Sequence, residues 1–322
     1  MKKSIKQPLV SVIIPVYNAQ NFLTEAIVSV IKQTYQRWEL IIIDDASTDK
    51  SWRIISGFKR QYPRKIKALR LKKNLNKGGD AAANVAFTKV KGELVARMDA
   101  DDIACPERLE KQVDFLQKNP RIFMVGSQAW VINKEGDIIG EKKLPLTSEA
   151  IYENYFIFHP MIHPTIMLRR KEIKRKNLYK IKYSANNDLL TFLGFLKNKK
   201  FANLPDKLLY YRFHGKNDSL TFIKNRYFNT LKIRFWAIKE LQYKPNIKTV
   251  LLNFIQFSTV VLLPEKALLL LYLLARGIYT PKELVLKMKS EFKLNFTLFK
   301  QFRINKVNTA EENAITQNIT VS

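Results

Sequence analysis

The chain has 322 residues, 46% of them hydrophobic, and a formal net charge of +28. Length and apolar content call for a folded body with a sizeable core and exclude a wholly disordered polymer. One cysteine, Cys105, excludes an intrachain disulfide and, with only three histidines, a structural zinc cluster. The excess of positive charge asks for an acidic partner: a phosphorylated substrate, an anionic membrane surface or nucleic acid.

Lys2, Lys3 and Lys6 precede Pro8 and a β-branched run at residues 10–14. That run is too short for a signal peptide or a membrane span, so the active part is expected in the cytoplasm. Phe22, Leu23, Ala26, Ile27, Val30 and Ile31 fall on one helical face. Residues 39–43 read as a second strand, ending at Asp44-Asp45, and a helix follows from about Asp49. Residues 66–71 form a third strand, 79–90 an Ala-rich helix and 93–98 a fourth strand. Alternation of this kind predicts an α/β fold with a mainly parallel sheet and helices on both faces.

Pro106 fits the first turn of a helix to about residue 119. Residues 123–132 and 138–141 flank Asn133-Lys134-Glu135-Gly136-Asp137 and read as a hairpin. A helix near 149–158, a strand at 165–168, a helix near 188–196 and a strand at 209–213 complete a domain over residues 1–220. Residues 221–307 carry sixteen Lys/Arg against four Asp/Glu, with uncharged stretches at 249–263 and 267–275. Neither stretch reaches the roughly 20 residues that span a bilayer. Apolar segments among so many cations suit helices lying in a membrane interface, and a helical cap on the main domain is the alternative. Residues 308–322 are polar and are expected to be a disordered tail.

Four polar segments follow the four strands, and open α/β sheets bind ligands at that edge. Tyr17 offers a flat face to a nucleobase. Asp45 can accept the imide N–H of a uracil. Gly78-Gly79 before a helix lets backbone approach a phosphate. Asp99 and Asp101, within Arg97-Met98-Asp99-Ala100-Asp101-Asp102, offer hard oxygen ligands to Mg2+ or Mn2+ held against a diphosphate. No Gly-x-Gly-x-x-Gly follows the first strand and no Walker motif is present, which removes the main support for dinucleotide binding and ATP hydrolysis.

These motifs, with Gln33-Thr34-Tyr35, Pro106-Glu107-Arg108-Leu109, His163-Pro164-Thr165 and Tyr211-Arg212-Phe213-His214-Gly215, closely resemble the family 2 glycosyltransferases over residues 8–219. The resemblance implies an A-type glycosyltransferase fold, Rossmann-like, and inverting transfer from a nucleotide-sugar, often a UDP-sugar. By resemblance, Pro15, Tyr17, Asn18, Asp45, Asn76, Gly78, Asn84 and Asp99 serve donor binding and Arg212 counters the phosphates. Asp101, with Asp99 and His214, would ligate Mn2+ or Mg2+. The family's base usually comes from an acidic motif beginning a helix; here that stretch is Ser184-Ala185-Asn186-Asn187-Asp188, and Asp188 is the carboxylate at hand.

The basic, apolar C-terminal region favours a lipid-linked or lipopolysaccharide or capsule acceptor and a peripheral place on the inner face of the cell membrane. The charge also admits a nucleic-acid-binding protein, but no recognition module supports specific nucleic-acid binding. Asn186-Asn187 admits a catalytically inactive scaffold.

Overall fold

Strands β1 (Val10–Val16) and α1 (Leu23–Ile31), then β2 (Trp38–Asp44) and α2 (Ser51–Gln61), open the chain. Both strands are buried at every residue, the mark of a parallel sheet covered on two faces. Then come β3 (Ile66–Arg70), α3 (Asp80–Phe87) and β4 (Leu94–Arg97), giving a parallel order β3-β2-β1-β4. Alternate residues feed two cores. Val10, Val12 and Ile14 meet Ala26 and Ile27 of α1 and Ile55 of α2, whereas Ile13, Ile41 and Ile43 meet Ala82, Ala83 and Ala86 of α3. The computed structural model describes residues 7–76, 78–174, 176–183, 185–215 and 222–275.

From β1 the chain steps outward to β3, then returns to the other side of β1 for β4. Such a reversal opens a crevice at the carboxyl ends of β1 and β4.

Beyond β4 the sheet turns mixed. β5 (Ile103–Ala104), α4 (Arg108–Lys118), β6 (Ile122–Ile132), β7 (Ile138–Lys142), α5 (Ser148–Asn154), β8 (Met167–Arg169), α6 (Asn187–Leu196) and β9 (Lys200–Arg212) follow in order. β8 runs antiparallel between β4 and β6, β9 lies parallel beside β6, and β5 pairs with β9. β6 and β7 form the expected hairpin.

β9 starts at Lys200 rather than near residue 209. Asn203, Pro205 and Asp206 disguise it as a loop. Ser127 of β6 faces Leu204 and Gln128 faces Lys207, so Pro205 and Asp206 sit in a bulge. A proline is tolerated there because the ladder is already interrupted.

Helices α7 (Ile223–Leu241) and α8 (Ile247–Leu262) follow, then α9 (Glu265–Ala275). One compact unit comprises residues 1–269, so α7 and α8 belong to the same body as the sheet. The change of composition near residue 220 marks a change of surface, while the packing continues. Residues 270–322 form a second unit, described only to residue 275. The expected basic stretch beyond 275 and the tail 308–322 lie outside the described residues. No described helix is long and apolar enough to cross a membrane.

Candidate active site

Four loops meet at the carboxyl edge of the parallel strands. β4 leaves β1 after Arg97: Ile13 pairs with Arg97, and the Met98 N–H donates to the Ile13 carbonyl. Pro15 comes two residues later and so faces the side β4 has vacated, where its missing N–H removes no ladder bond. Gly79, at φ +79°, closes on it; a Cβ there would lie 3.2 Å from Pro15 Cγ and 3.2 Å from Arg97 Nη2. Tyr17 stands 52% exposed at the rim. Asn18, at φ 49°, ties the β1 loop to the β2 loop. Its Oδ1 accepts from the Thr48 N–H at 2.8 Å, and its own N–H donates to Ser47 Oγ at 3.0 Å.

Asp45 is buried just past β2. The Leu75 N–H donates to its Oδ1 at 3.0 Å, and Asn74 Nδ2 donates to its carbonyl at 3.1 Å. Burial pushes the carboxyl above its ordinary value, the Leu75 hydrogen bond offsets part of this, and Asp44 adds to the push. A carboxylate in this state gains from one more donor. Asn76 and Gly78 carry the loop through left-handed conformations, φ 51° and 59°. Asn84 lies deeper and clasps the Tyr179 backbone, donating at 3.0 Å and accepting at 2.7 Å.

Arg97 donates to Asp99 Oδ1 from Nε at 3.1 Å and from Nη2 at 2.9 Å. Burial works against this guanidinium's charge, but Asp99, Tyr179 and Asp80 together hold it charged. Asp101 Oδ2 lies 3.0 Å from His214 Nε2, and Phe22 stacks on that imidazole with ring centroids 5.1 Å apart. Asp102 is buried; its Oδ1 accepts from the Arg212 N–H at 2.9 Å, and its Oδ2 has no hydrogen-bond partner. Burial, then Asp101 and Asp99, push its carboxyl well above the usual range. Asp99 is paired with Arg97 and Asp101 with His214, which leaves Asp102 as the carboxyl that burial and its two neighbours raise; a divalent cation beside it would favour its ionised form.

The donor set fits such an ion. Two ligands at adjacent corners of an octahedron with bonds of about 2.1 Å lie about 3 Å apart, which is the Asp101–His214 spacing of 3.0 Å. Among the described residues no three His, Cys, Asp or Glu side chains converge as a ready cage. The protein would therefore supply few ligands and leave corners for a diphosphate and water.

Arg212 does not line the crevice. Its side chain is 1% exposed and braces the loop from behind. Nε donates to the Asp101 carbonyl at 2.9 Å, Nη1 to the Asn133 and Lys134 carbonyls at 3.3 and 3.0 Å, and Nη2 pairs with Glu25.

A second polar cluster adjoins Arg97. Arg97 Nη1 is 3.9 Å from Asp80 Oδ1, which is 3.9 Å from His163 Nε2. His163 Nε2 shares a hydrogen bond with Tyr179 Oη at 2.7 Å, and its Nδ1 lies 3.8 Å from Asp188 Oδ2. On the far side His159 Nε2 is 3.3 Å from the same Asp188 oxygen. Burial and then Arg97 push His163 down to about 3. It is therefore neutral at pH 7, and its contacts with Asp80 and Asp188 are not ion pairs. Burial alone would raise Asp188, but His159 above all, with the Leu189 N–H, holds its carboxyl well below the usual range.

The two asparagines before Asp188 have structural partners. Asn187 Oδ1 accepts from the Lys182 and Tyr183 N–H groups at 3.0 and 2.9 Å. Asn186, at φ 64°, donates from Nδ2 to the Arg226 carbonyl at 3.0 Å and to Thr230 Oγ1 at 2.8 Å, both on α7. Sequence reasoning gave no role to Asp80, Arg97, His159, His163 or Tyr179. One signal was there to use: the chain has three histidines, and all three stand at this site.

A β3-β2-β1-β4 sheet with an aromatic, a buried carboxylate and an Asp-x-Asp turn on successive strand ends has the architecture of an A-type glycosyltransferase. The chain belongs to glycosyltransferase family 2, whose model, "Glycosyl transferase family 2", matches residues 11–177. An uncharacterized glycosyltransferase of Haemophilus influenzae is 35% identical over 225 residues, 67% of this chain and 68% of that protein. The O-antigen biosynthesis glycosyltransferase WbnJ of Escherichia coli is 32% identical over 217 residues, 65% of this chain and 81% of that one.

Among solved structures, S. aureus TarS 1-349 in complex with UDP-GlcNAc is similar at TM-score 0.58 and 21% identity, over 72% of this chain and 66% of that one. The chain thus spans just under two thirds of that TarS chain. The mannosyltransferase PcManGT from Pyrobaculum calidifontis, in complex with GDP-Man and Mn2+, is similar at TM-score 0.55 and 17% identity, over 90% and 81%. At these identities the likeness to both structures is one of fold.

Proposed function

We propose that this glycosyltransferase moves a sugar, with inversion, from a nucleotide-sugar, a UDP-sugar first of all, to a hydroxyl of a lipid-linked, lipopolysaccharide or capsule glycan. It works with Mn2+ or Mg2+ as a peripheral protein on the inner face of the cell membrane. The observation that carries this reading is the Asp101–His214 pair at 3.0 Å, beside the buried Asp102 whose Oδ2 has no hydrogen-bond partner. Asp101 and His214, with Asp99 adjacent, would hold the ion, which when bound would supply positive charge for the departing diphosphate. Tyr17 stacks on the base and Asp45 accepts its imide N–H. Pro15, Asn18, Asn76, Gly78, Asn84 and Arg212 shape the loops that position these groups.

Asp188 takes the proton of the acceptor hydroxyl as it attacks the anomeric carbon. His159 beside it and the Leu189 N–H favour its ionised form. Two similar proteins support the substrate classes: TarS, in complex with UDP-GlcNAc, for the donor, and the O-antigen biosynthesis glycosyltransferase WbnJ for the acceptor. The GDP-Man of PcManGT keeps guanosine donors in the test. The test is a screen of UDP- and GDP-sugars for nucleotide release with and without Mn2+. Release from at least one donor, abolished by chelation and by Asp101→Ala, is expected. No release from any donor, or release indifferent to Asp101→Ala, sinks the reading.

A further inference from the structure

Helix α8 is built inside out. At spacings of four, three and four residues it turns Thr249, Asn253, Gln256 and Val260 to the domain, and three of these are polar. Asn253 Nδ2 donates to the Phe156 carbonyl, while its Oδ1 accepts from the buried Arg234 at 2.5 Å. Gln256 Nε2 donates to the Ile157 carbonyl at 3.2 Å. The opposite arc holds Ile247, Leu251, Phe254, Ile255 and Leu262; Phe254 is 70% exposed and Leu262 79%. A helix on the surface of a water-soluble body normally does the reverse. An outward apolar face of this size marks a contact surface.

The charge around it says what kind of contact. Lys244, Lys248 and Lys266 stand exposed near its two ends. Residues 222–269 hold eight Lys/Arg against two acids, Glu240 and Glu265. With 16 residues, α8 is about 24 Å long and suited to lying in a bilayer interface. A cationic rim around an apolar face complements anionic headgroups above acyl chains.

We propose that α8 lies in the headgroup region of an anionic bilayer with Leu251, Phe254, Ile255 and Leu262 toward the acyl chains. The acceptor side of the active site is thereby held at the membrane. The connection is short: Phe156 and Ile157, gripped by Asn253 and Gln256, lead directly to His159 beside Asp188. The claim about the acceptor rests on the sugar transfer proposed above; the claim about docking shares only its membrane placement.

The test is flotation of the full chain with vesicles of phosphatidylglycerol and phosphatidylethanolamine, and with phosphatidylcholine vesicles, for wild type and Leu251→Asp/Phe254→Asp. Both side chains are exposed, so the variant should keep its circular dichroism and its nucleotide release from donor alone. Wild type is expected to float with the anionic vesicles, less so in high salt. The variant's partitioning should fall by at least about tenfold. Four results overturn the proposal: wild type stays in the buffer; the variant floats equally well; wild type is a dimer that the variant splits without vesicles; or wild type floats only once residues 276–322 are removed. Flotation without nucleotide release from any donor would sink the proposed function alone. Release without flotation would sink this inference and the membrane placement proposed above, and leave the sugar transfer standing.

Discussion

Two carboxylate clusters face each other across Arg97, and they are held in opposite ways. At the β4 loop, Asp99, Asp101 and Asp102 crowd one another, and the Asp102 carboxyl is driven up. At the start of α6, Asp188 sits between two imidazoles, and its carboxyl is held down. The first arrangement leaves one buried carboxylate oxygen, Asp102 Oδ2, without a partner. The second is complete as it stands. In the function proposed above, the first would meet what arrives with the donor, and the second would present a carboxylate that stays ionised.

Asp101→Ala tests the first cluster most severely. Nucleotide release should fall by roughly a thousandfold or more, with unchanged circular dichroism, and a Mn2+ titration should no longer saturate in the wild-type range. Asp188→Asn tests the second. It should lower kcat by about 100- to 10,000-fold while donor KM stays within a few-fold; a KM effect without a kcat effect would place Asp188 on the donor side.

His159→Gln probes what keeps Asp188 ionised. Removing His159 leaves burial to raise the carboxyl. A base must be unprotonated, so the acid limb of the kcat profile should move to higher pH, with a smaller loss above pH 8. An unmoved limb would show that His159 does not govern Asp188. The same depression is a stability statement. The contribution of Asp188 is complete above about pH 4, its unfolded range, and fades as pH drops through the folded value. The gap in denaturant stability between Asp188→Asn and wild type should therefore narrow on acidification.

Asn186→Asp should give the smallest change. It removes the donor to the Arg226 carbonyl and Thr230. The expected cost is about 1–2 kcal/mol of stability, with kcat of the same order as wild type. A large rise in kcat would instead mean that the base belongs at position 186.

The half proposed for the donor was the legible half. β-branched runs end in Tyr17, Asp45 and Asp99 because strands of a doubly covered sheet must be apolar until they leave the core. The polarity change at each strand end therefore shows in the sequence. β9 was largely hidden, since its bulge at Pro205-Asp206 breaks the pattern. The half proposed for the acceptor was hidden for another reason. Its members, Asp80, Arg97, His159, His163 and Asp188, come from four separate segments, and no local spacing announces that they meet. Arg212 was legible as important but not as buried, because burial of a guanidinium depends on carbonyls from the β6–β7 turn.

The latch between Asn186 and α7 has a consequence for the order in which the molecule becomes competent. During synthesis the chain emerges from its N-terminus, so the β1–β4 edge is made first. The loop carrying Asp188 cannot close until Arg226 and Thr230 have followed, and Phe156 and Ile157 wait for Asn253 and Gln256 on α8. The side that would do the chemistry is thus the last to be assembled, and it is assembled by the same helices that carry the outward apolar face.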